Sequence, residues 1–394
     1  MLERIAGSSV TFMTTDTHIE PLHVVIAGGG VAALETMMAL RSLAGDRVRI
    51  TLLAPEHDFR YRPMAVAEPF SIAHAGEIAL AGICADFDAH HVRGTLACVD
   101  ARGYRVVTGD GDSVPYDALV IACGARSRPA FDTGALTVDD RALGAMLRGL
   151  LQDVEEGYAH RITFVASSQA LWPLPLYELA LLTAERAYAM NATVEISLVT
   201  PEHAPLALFG SGISDELSRM LADAQIAFHG SSFAELAHGR LTLMPSGVTI
   251  PSGRVVAMPV LEGPQLAGVP ADAHGFIPVD EYGEVRGIAG VYAAGDITSH
   301  PVKHGGISAQ QADIVAAVIA RRAGADAELP PLRSSFQGAL MTGGATRYLE
   351  AELGDDGAYR STVSDVCPWE SSAKISALHL GPYLAHGDRY AARA

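Results

Sequence analysis

The segment from His23 to Leu53 constrains the fold more than any other. An apolar run, His23-Val-Val-Ile-Ala27, leads into Gly28-Gly-Gly30-Val-Ala-Ala33 and a helix-forming stretch over 34–43. Gly45-Asp46 stops that helix, and Val48-Arg-Ile-Thr-Leu-Leu53 is a second apolar run. Strand, glycine turn, helix and strand in this order make a βαβ unit on a parallel sheet. In such a turn Gly28 permits the sharp bend and Gly30 lets a pyrophosphate approach the backbone. Ala33 is small enough for the helix to pack closely on the strand. A phosphate beside Val31 and Ala32 would meet the free N–H groups at the helix start. The acidic residue expected after the second strand, where a ribose binds, is replaced by Ala54-Pro55. Glu56 lies two residues on; it reads equally as a ribose ligand and as a solvated loop carboxylate.

Further along, 97–100 and 105–108 read as a small hairpin and 117–122 as a buried strand stopped by Gly124. A second βαβ unit begins at Arg161, with a strand over 162–166, a helix over 177–190 and a strand over 194–200. A helix over 214–224 and short β-segments to Val260 follow. The first module resumes near Ile277 with the strand Gly290-Val-Tyr-Ala-Ala-Gly-Asp296 and a helix over 307–322, and Pro330-Pro331 opens a last segment. The expected fold is therefore α/β, with two dinucleotide-binding, Rossmann-like domains, one inserted in the other. Residues 21–130 and 265–328 form the first, 131–264 the second and 329–394 a C-terminal segment, while 1–20 are a flexible lead-in.

Composition removes several function classes. Of 394 residues, 28 are Lys or Arg and 45 Asp or Glu, a net charge of −17 that disfavours nucleic acid and anionic membrane surfaces. With 49% hydrophobic and only 19% charged residues the chain is not disordered. Cys84, Cys98, Cys123 and Cys367 are too few for a disulfide scaffold and lack zinc spacing, so no metal site is expected and a reducing, cytoplasmic setting is. No apolar run approaches the roughly 20 residues that span a bilayer.

Gly295-Asp296 after its strand, taken with Gly28-x-Gly30 and Cys123-Gly124, resembles the glutathione-reductase-like flavoproteins with two dinucleotide-binding domains. Phe59-Arg-Tyr-Arg-Pro63, Trp172-Pro-Leu-Pro-Leu-Tyr-Glu-Leu-Ala180 and Lys303-His-Gly-Gly-Ile-Ser-Ala-Gln-Gln-Ala312 narrow the likeness. They are similar to sulfide:quinone oxidoreductases and their flavocytochrome and type II NADH dehydrogenase relatives, over about residues 23–385. The resemblance implies FAD as cofactor. Gly28, Gly30, Val31, Ala32 and Ala33 would frame its pyrophosphate, and Gly295 and Asp296 its ribityl chain. Pro55, Glu56, Leu96, Cys123 and Gly124 would lie toward its adenosine half. Arg62, Pro63, Lys303, His304, Gly305 and Gly306 would lie near the ring, with a helix N-terminus aimed at its pyrimidine edge. Lys303 and His304 are the candidate catalytic residues, as proton carriers.

The departures from that family matter as much. Its two redox cysteines have no counterpart in Ala166-Ser-Ser-Gln-Ala-Leu-Trp172 or in Gly338-Ala-Leu-Met-Thr-Gly343, so no dithiol relay is expected. The second module has no glycine from Ala166 to Tyr177 but has Trp172, Pro173 and Pro175, so its pyridine-nucleotide site reads as degenerate. Trp172 is then a core residue or a substrate platform. Ile375, Leu378, Leu380 and Leu384 read as a membrane-facing stripe or as an ordinary docking stripe. The expected function is oxidation of a small organic or sulfur-containing substrate at the flavin, with quinone or oxygen as acceptor. The alternatives are a peripheral sulfide:quinone-type or NAD(P)H:quinone oxidoreductase, or a non-catalytic flavoprotein partner. A homodimer is compatible with the class.

Overall fold

The computed structural model describes residues 20–139, 142–166, 172–251, 253–333, 335–353, 359–369 and 374–386. All but Glu20 of the expected lead-in lie outside these, as do most of 166–172 and Glu370.

Apolar β-branched runs pair into two five-stranded parallel sheets. The first runs, from edge to edge, Val291–Ala293, Ala118–Ile121, Leu22–Ala27, Val48–Ala54 and Ala89–Arg93. The second runs Ala135–Thr137, Arg254–Ala257, Arg161–Val165, Glu195–Val199 and Ile226–His229. In each sheet the central strand, Leu22–Ala27 or Arg161–Val165, leads into a helix, and two strands are then added on one side. Each module then makes a three-stranded antiparallel meander before a strand on the other side. The meanders are Leu96–Asp100, Arg105–Thr108 and Ser113–Pro115 in the first, and Phe233–Ala237, Arg240–Met244 and Val248–Ile250 in the second. The modules are joined where Arg126–Arg128 pairs antiparallel with Val260–Glu262, so the two crossings run side by side.

Helices differ from the sequence reading mainly at their starts. The first is Val31–Ala44 and the Ala-rich one Gly305–Arg322, each beginning within its glycine turn. The second module's helix is Leu174–Ala189, not 177–190. Pro173 and Pro175 do not hold it back, because a proline in the first turn gives up an N–H that has no helical acceptor. The last segment contains a sheet that the sequence reading lacked: Ser335–Leu340, Arg347–Leu353 and Tyr359–Ser364, all antiparallel. Ile375, Leu380 and Leu384 then pack into the first module's core beside Ala33, Met37 and Ala316, each burial stabilising by about 1.5–3 kcal/mol. Leu378 stays 70% exposed, so the stripe docks on three of its four residues. Among the described residues no helix is long and apolar enough to cross a membrane, and no cluster of His, Cys, Asp or Glu is placed to hold a metal ion.

Candidate functional site

The candidate site lies at the carboxyl ends of the first sheet's strands, where ligands of such sheets bind. Gly28 has φ +132°, and a Cβ there would meet the Ala122 carbonyl oxygen at 2.2 Å. Two strand ends thus approach so closely that only glycine fits. Gly30 is the N-cap of the Val31–Ala44 helix, and a Cβ on it would meet nothing within 4 Å. The first-turn N–H groups of Val31, Ala32 and Ala33 are the ones a helix leaves without internal acceptors. Val31 is half-buried, while Ala32 and Ala33 are buried. Backbone donors facing open space make a cradle that fits a pyrophosphate.

Cys123 is exposed at the end of the strand Ala118–Ile121, yet desolvation by the protein around it, with the Glu56 carboxylate, pushes its thiol up to about 12. Its Sγ donates to the Ala27 carbonyl oxygen at 3.3 Å. Glu56 and Pro55 are exposed, Gly124 has φ +73° with open space beside it, and Leu96 is half-buried on the meander. The structure therefore gathers Gly28, Glu56 and Cys123 at one edge.

At the other end, Gly295 has φ +85°, and a Cβ there would lie 2.9 Å from the Ala32 Cβ. The Gly-Asp turn is thereby pressed against the glycine-turn helix, and Asp296 is half-buried beside it. Gln311, to which the sequence assigns no role of its own, fixes this turn: its Oε1 accepts the Gly295 N–H at 2.8 Å and contacts the Thr298 hydroxyl at 3.5 Å. Lys303 is buried, with Nζ donating to the Thr298 carbonyl oxygen and sitting 3.7 Å from the Phe276 ring centroid. Burial lowers its ammonium to about 8, against the opposing pull of Asp296 and Asp272.

His304 caps the Gly305–Arg322 helix. Its ring stacks on Trp172 of the second module, with centroids 3.8 Å apart and planes at 28°, and Trp172 also meets Phe209 at 5.3 Å. Trp172 is thus an interdomain packing residue. Burial lowers the His304 imidazole to about 3, and its Nδ1 lacks a partner among the described residues. Burial thus disfavours the charged form of both candidates.

A strap over 374–384 crosses this end of the site. The Lys374 Nζ lies 2.6 Å and 2.8 Å from the two carboxylate oxygens of Glu178 and donates to the Pro63 carbonyl oxygen at 3.0 Å. Glu178 also accepts the Met341 N–H at 3.0 Å. The Ile375 N–H donates to the Tyr61 hydroxyl at 2.9 Å, and the Ile375 side chain covers Gly305, where a Cβ would lie 2.5 Å from its Cδ1. A Cβ at Gly306 would lie 2.8 Å from the His304 ring. The buried Glu35 carboxylate receives the N–H groups of His379 and Leu380 at 2.8 Å and 2.6 Å. Burial and the nearby Glu35 push the carboxyl of Asp313 up. Arg62 is exposed and Pro63 half-buried at this end.

Known proteins share this architecture. The chain is 27% identical over 299 residues to an NADH dehydrogenase-like protein of Mycobacterium tuberculosis, covering 70% of this chain and 72% of that one. It is 28% identical over 304 residues to rhodocoxin reductase of Rhodococcus erythropolis, covering 71% and 66%. The solved sulfide:quinone oxidoreductase of Aquifex aeolicus superposes with a TM-score of 0.76 at 19% identity, over 87% of each chain. The sequence pattern of one family, described as pyridine nucleotide-disulphide oxidoreductase, matches residues 17–151 and 179–324. The chain therefore belongs to the pyridine nucleotide-disulphide oxidoreductase family and is an oxidoreductase.

Proposed function

We infer that the protein is an FAD-dependent oxidoreductase that oxidises a small organic or sulfur-containing substrate and passes the electrons to a quinone or to oxygen without a cysteine relay. The observation that carries the reading is the pair of turns, Gly28-x-Gly30 with open space at Gly30, and Gly295-Asp296 with Gly295 pressed against Ala32. Gly28, Gly30 and Val31 to Ala33 would hold the pyrophosphate, and Asp296 the ribityl hydroxyls. Glu56, Cys123 and Gly124 would lie toward the adenosine, and Pro63, Lys303, His304 and the helix start at Gly305 toward the ring. FAD, when bound, would supply the two-electron redox chemistry. Lys303 would carry a positive charge beside the site below about pH 8 and could release a proton above it. His304 with Trp172 would form a wall that excludes water. The placing of the four cysteines supports a mechanism without a relay, since none stands at the positions matching the family's redox pair.

The test is to purify the protein, reduce its flavin anaerobically with light, and follow reoxidation by oxygen or by a soluble quinone. Reoxidation by one of them within catalytic times supports the reading. A folded, colourless protein that takes up no FAD defeats it.

A further inference from the structure

The second module retains the strand order of a nucleotide-binding unit, but among the described residues the two devices by which such a unit holds a dinucleotide are turned onto its own fold. The devices are free N–H groups at the start of the helix after the first strand, and a carboxylate after the second strand that takes the ribose hydroxyls. In the Leu174–Ala189 helix, Pro173 is the N-cap, Pro175 has no N–H, and the Leu176 N–H turns back to the Pro173 carbonyl oxygen at 2.9 Å. The contrast with Gly30, which faces open space, is direct.

The carboxylate following the second strand, Glu195–Val199, is Glu202. It accepts the Tyr177 hydroxyl at 2.7 Å and the Thr200 hydroxyl at 3.3 Å, and it also bonds the Ala207 backbone. Tyr177 comes from the first turn of the module's own helix, and its side chain is fully buried among Phe164, Leu198 and Leu206. In the first module the corresponding Glu56 is exposed. The family pattern also lapses over 152–178, the stretch that supplies this first strand and helix start.

We propose that Tyr177 is a built-in stand-in for a ribose hydroxyl: by occupying Glu202 it excludes pyridine nucleotides from the second module, so that the flavin must be reduced by another donor. The inference rests on the proposed reading of the chain as a flavoenzyme with its own small donor. Tyr177 is thus a specificity-determining residue that acts through its hydroxyl rather than its ring, beside a helix start already poor in donors.

ADP-ribose, which has the adenosine, pyrophosphate and ribose of the dinucleotide but no redox chemistry, is the probe, titrated calorimetrically into the flavin-loaded protein. Wild type should show no saturable binding up to about 1 mM. Tyr177→Phe keeps the buried ring and frees Glu202, and should bind at least about tenfold more tightly than wild type. The double variant Tyr177→Phe/Glu202→Gln should lose that gain. Tyr177→Leu, which also removes the hydroxyl, is the second arm should the first variant fail to fold, and must show the same gain. Saturable binding by wild type, or a folded hydroxyl-less variant that binds no better, overturns the proposal. ADP-ribose binding by wild type without flavin bleaching by NADH would sink this inference alone. Rapid bleaching of wild type by NADH would sink the donor reading with it, and failure to retain FAD would sink the flavoenzyme reading on which the inference rests.

Discussion

Replacing Lys374 by methionine removes one charge from a pair in which the Glu178 side chain is 0% and the Lys374 side chain 8% exposed. The carboxylate is then left with the Met341 N–H alone, and the Pro63 carbonyl oxygen loses its donor. Stranding one member of a buried pair costs about 3–5 kcal/mol, whereas replacing both by apolar groups of similar size is near neutral. Because Lys374 ties the strap to both modules, the loss should appear as local opening of that strap. The assay is amide hydrogen exchange at Ile375, His379 and Leu380, whose N–H groups are bonded to Tyr61 and Glu35. In Lys374→Met their protection should fall by roughly two to four powers of ten. In Glu178→Leu/Lys374→Met most of it should return. Unchanged protection in the single variant, or a double variant as labile as the single, would refute the assignment of the pair as the clamp.

Asp296→Ala should weaken FAD retention by about 1.5–3 kcal/mol, the worth of a charged acceptor lost from a hydroxyl; retention unchanged on ultrafiltration would show that this turn does not meet the cofactor. Serine in place of Cys84, Cys98, Cys123 or Cys367 should each leave substrate-driven flavin bleaching intact, with Cys123→Ser only loosening the cofactor. A large fall in Cys367→Ser with FAD still bound would bring that thiol into the chemistry. If the Lys303 ammonium assists reduction, the rate should decline as pH rises through about 8. Lys303→Arg, which stays charged, should flatten that limb; an identical bend in the arginine variant would assign it to another group.

The first module was legible because its signals are local. Glycine spacing, an apolar strand on either side and a Gly-Asp turn each declare themselves within ten residues. The start of the second module's helix was misread because Pro-Leu-Pro looks like a loop, although proline suits a first turn. The C-terminal sheet escaped because its outer strand, Tyr359–Ser364, is polar and largely exposed and carries no apolar alternation. Glu35 and Glu178 were the most informative omissions. Each is a lone carboxylate on a helix whose neighbours are apolar, Leu34 and Met38 about Glu35, Leu174 and Leu181 about Glu178. That pattern signals a buried charge, but the partners lie some two or three hundred residues away, where no local rule looks.

The interrupted first sheet also fixes an order of assembly on the ribosome. Its glycine turn is synthesised early, but the edge strand Val291–Ala293, the helix Gly305–Arg322 packed on Val31–Ala44, and the Leu380 contact with Glu35 all follow the inserted module. At roughly 5–20 residues per second the early strands wait on the order of ten seconds or more for these partners. The inserted sheet, from Ala135–Thr137 to Arg254–Ala257, is continuous in the chain and can close first. During that interval the apolar strands Leu22–Ala27 and Val48–Ala54 are the nascent chain's exposed surface, and chaperone demand should fall there rather than on the later-made domain.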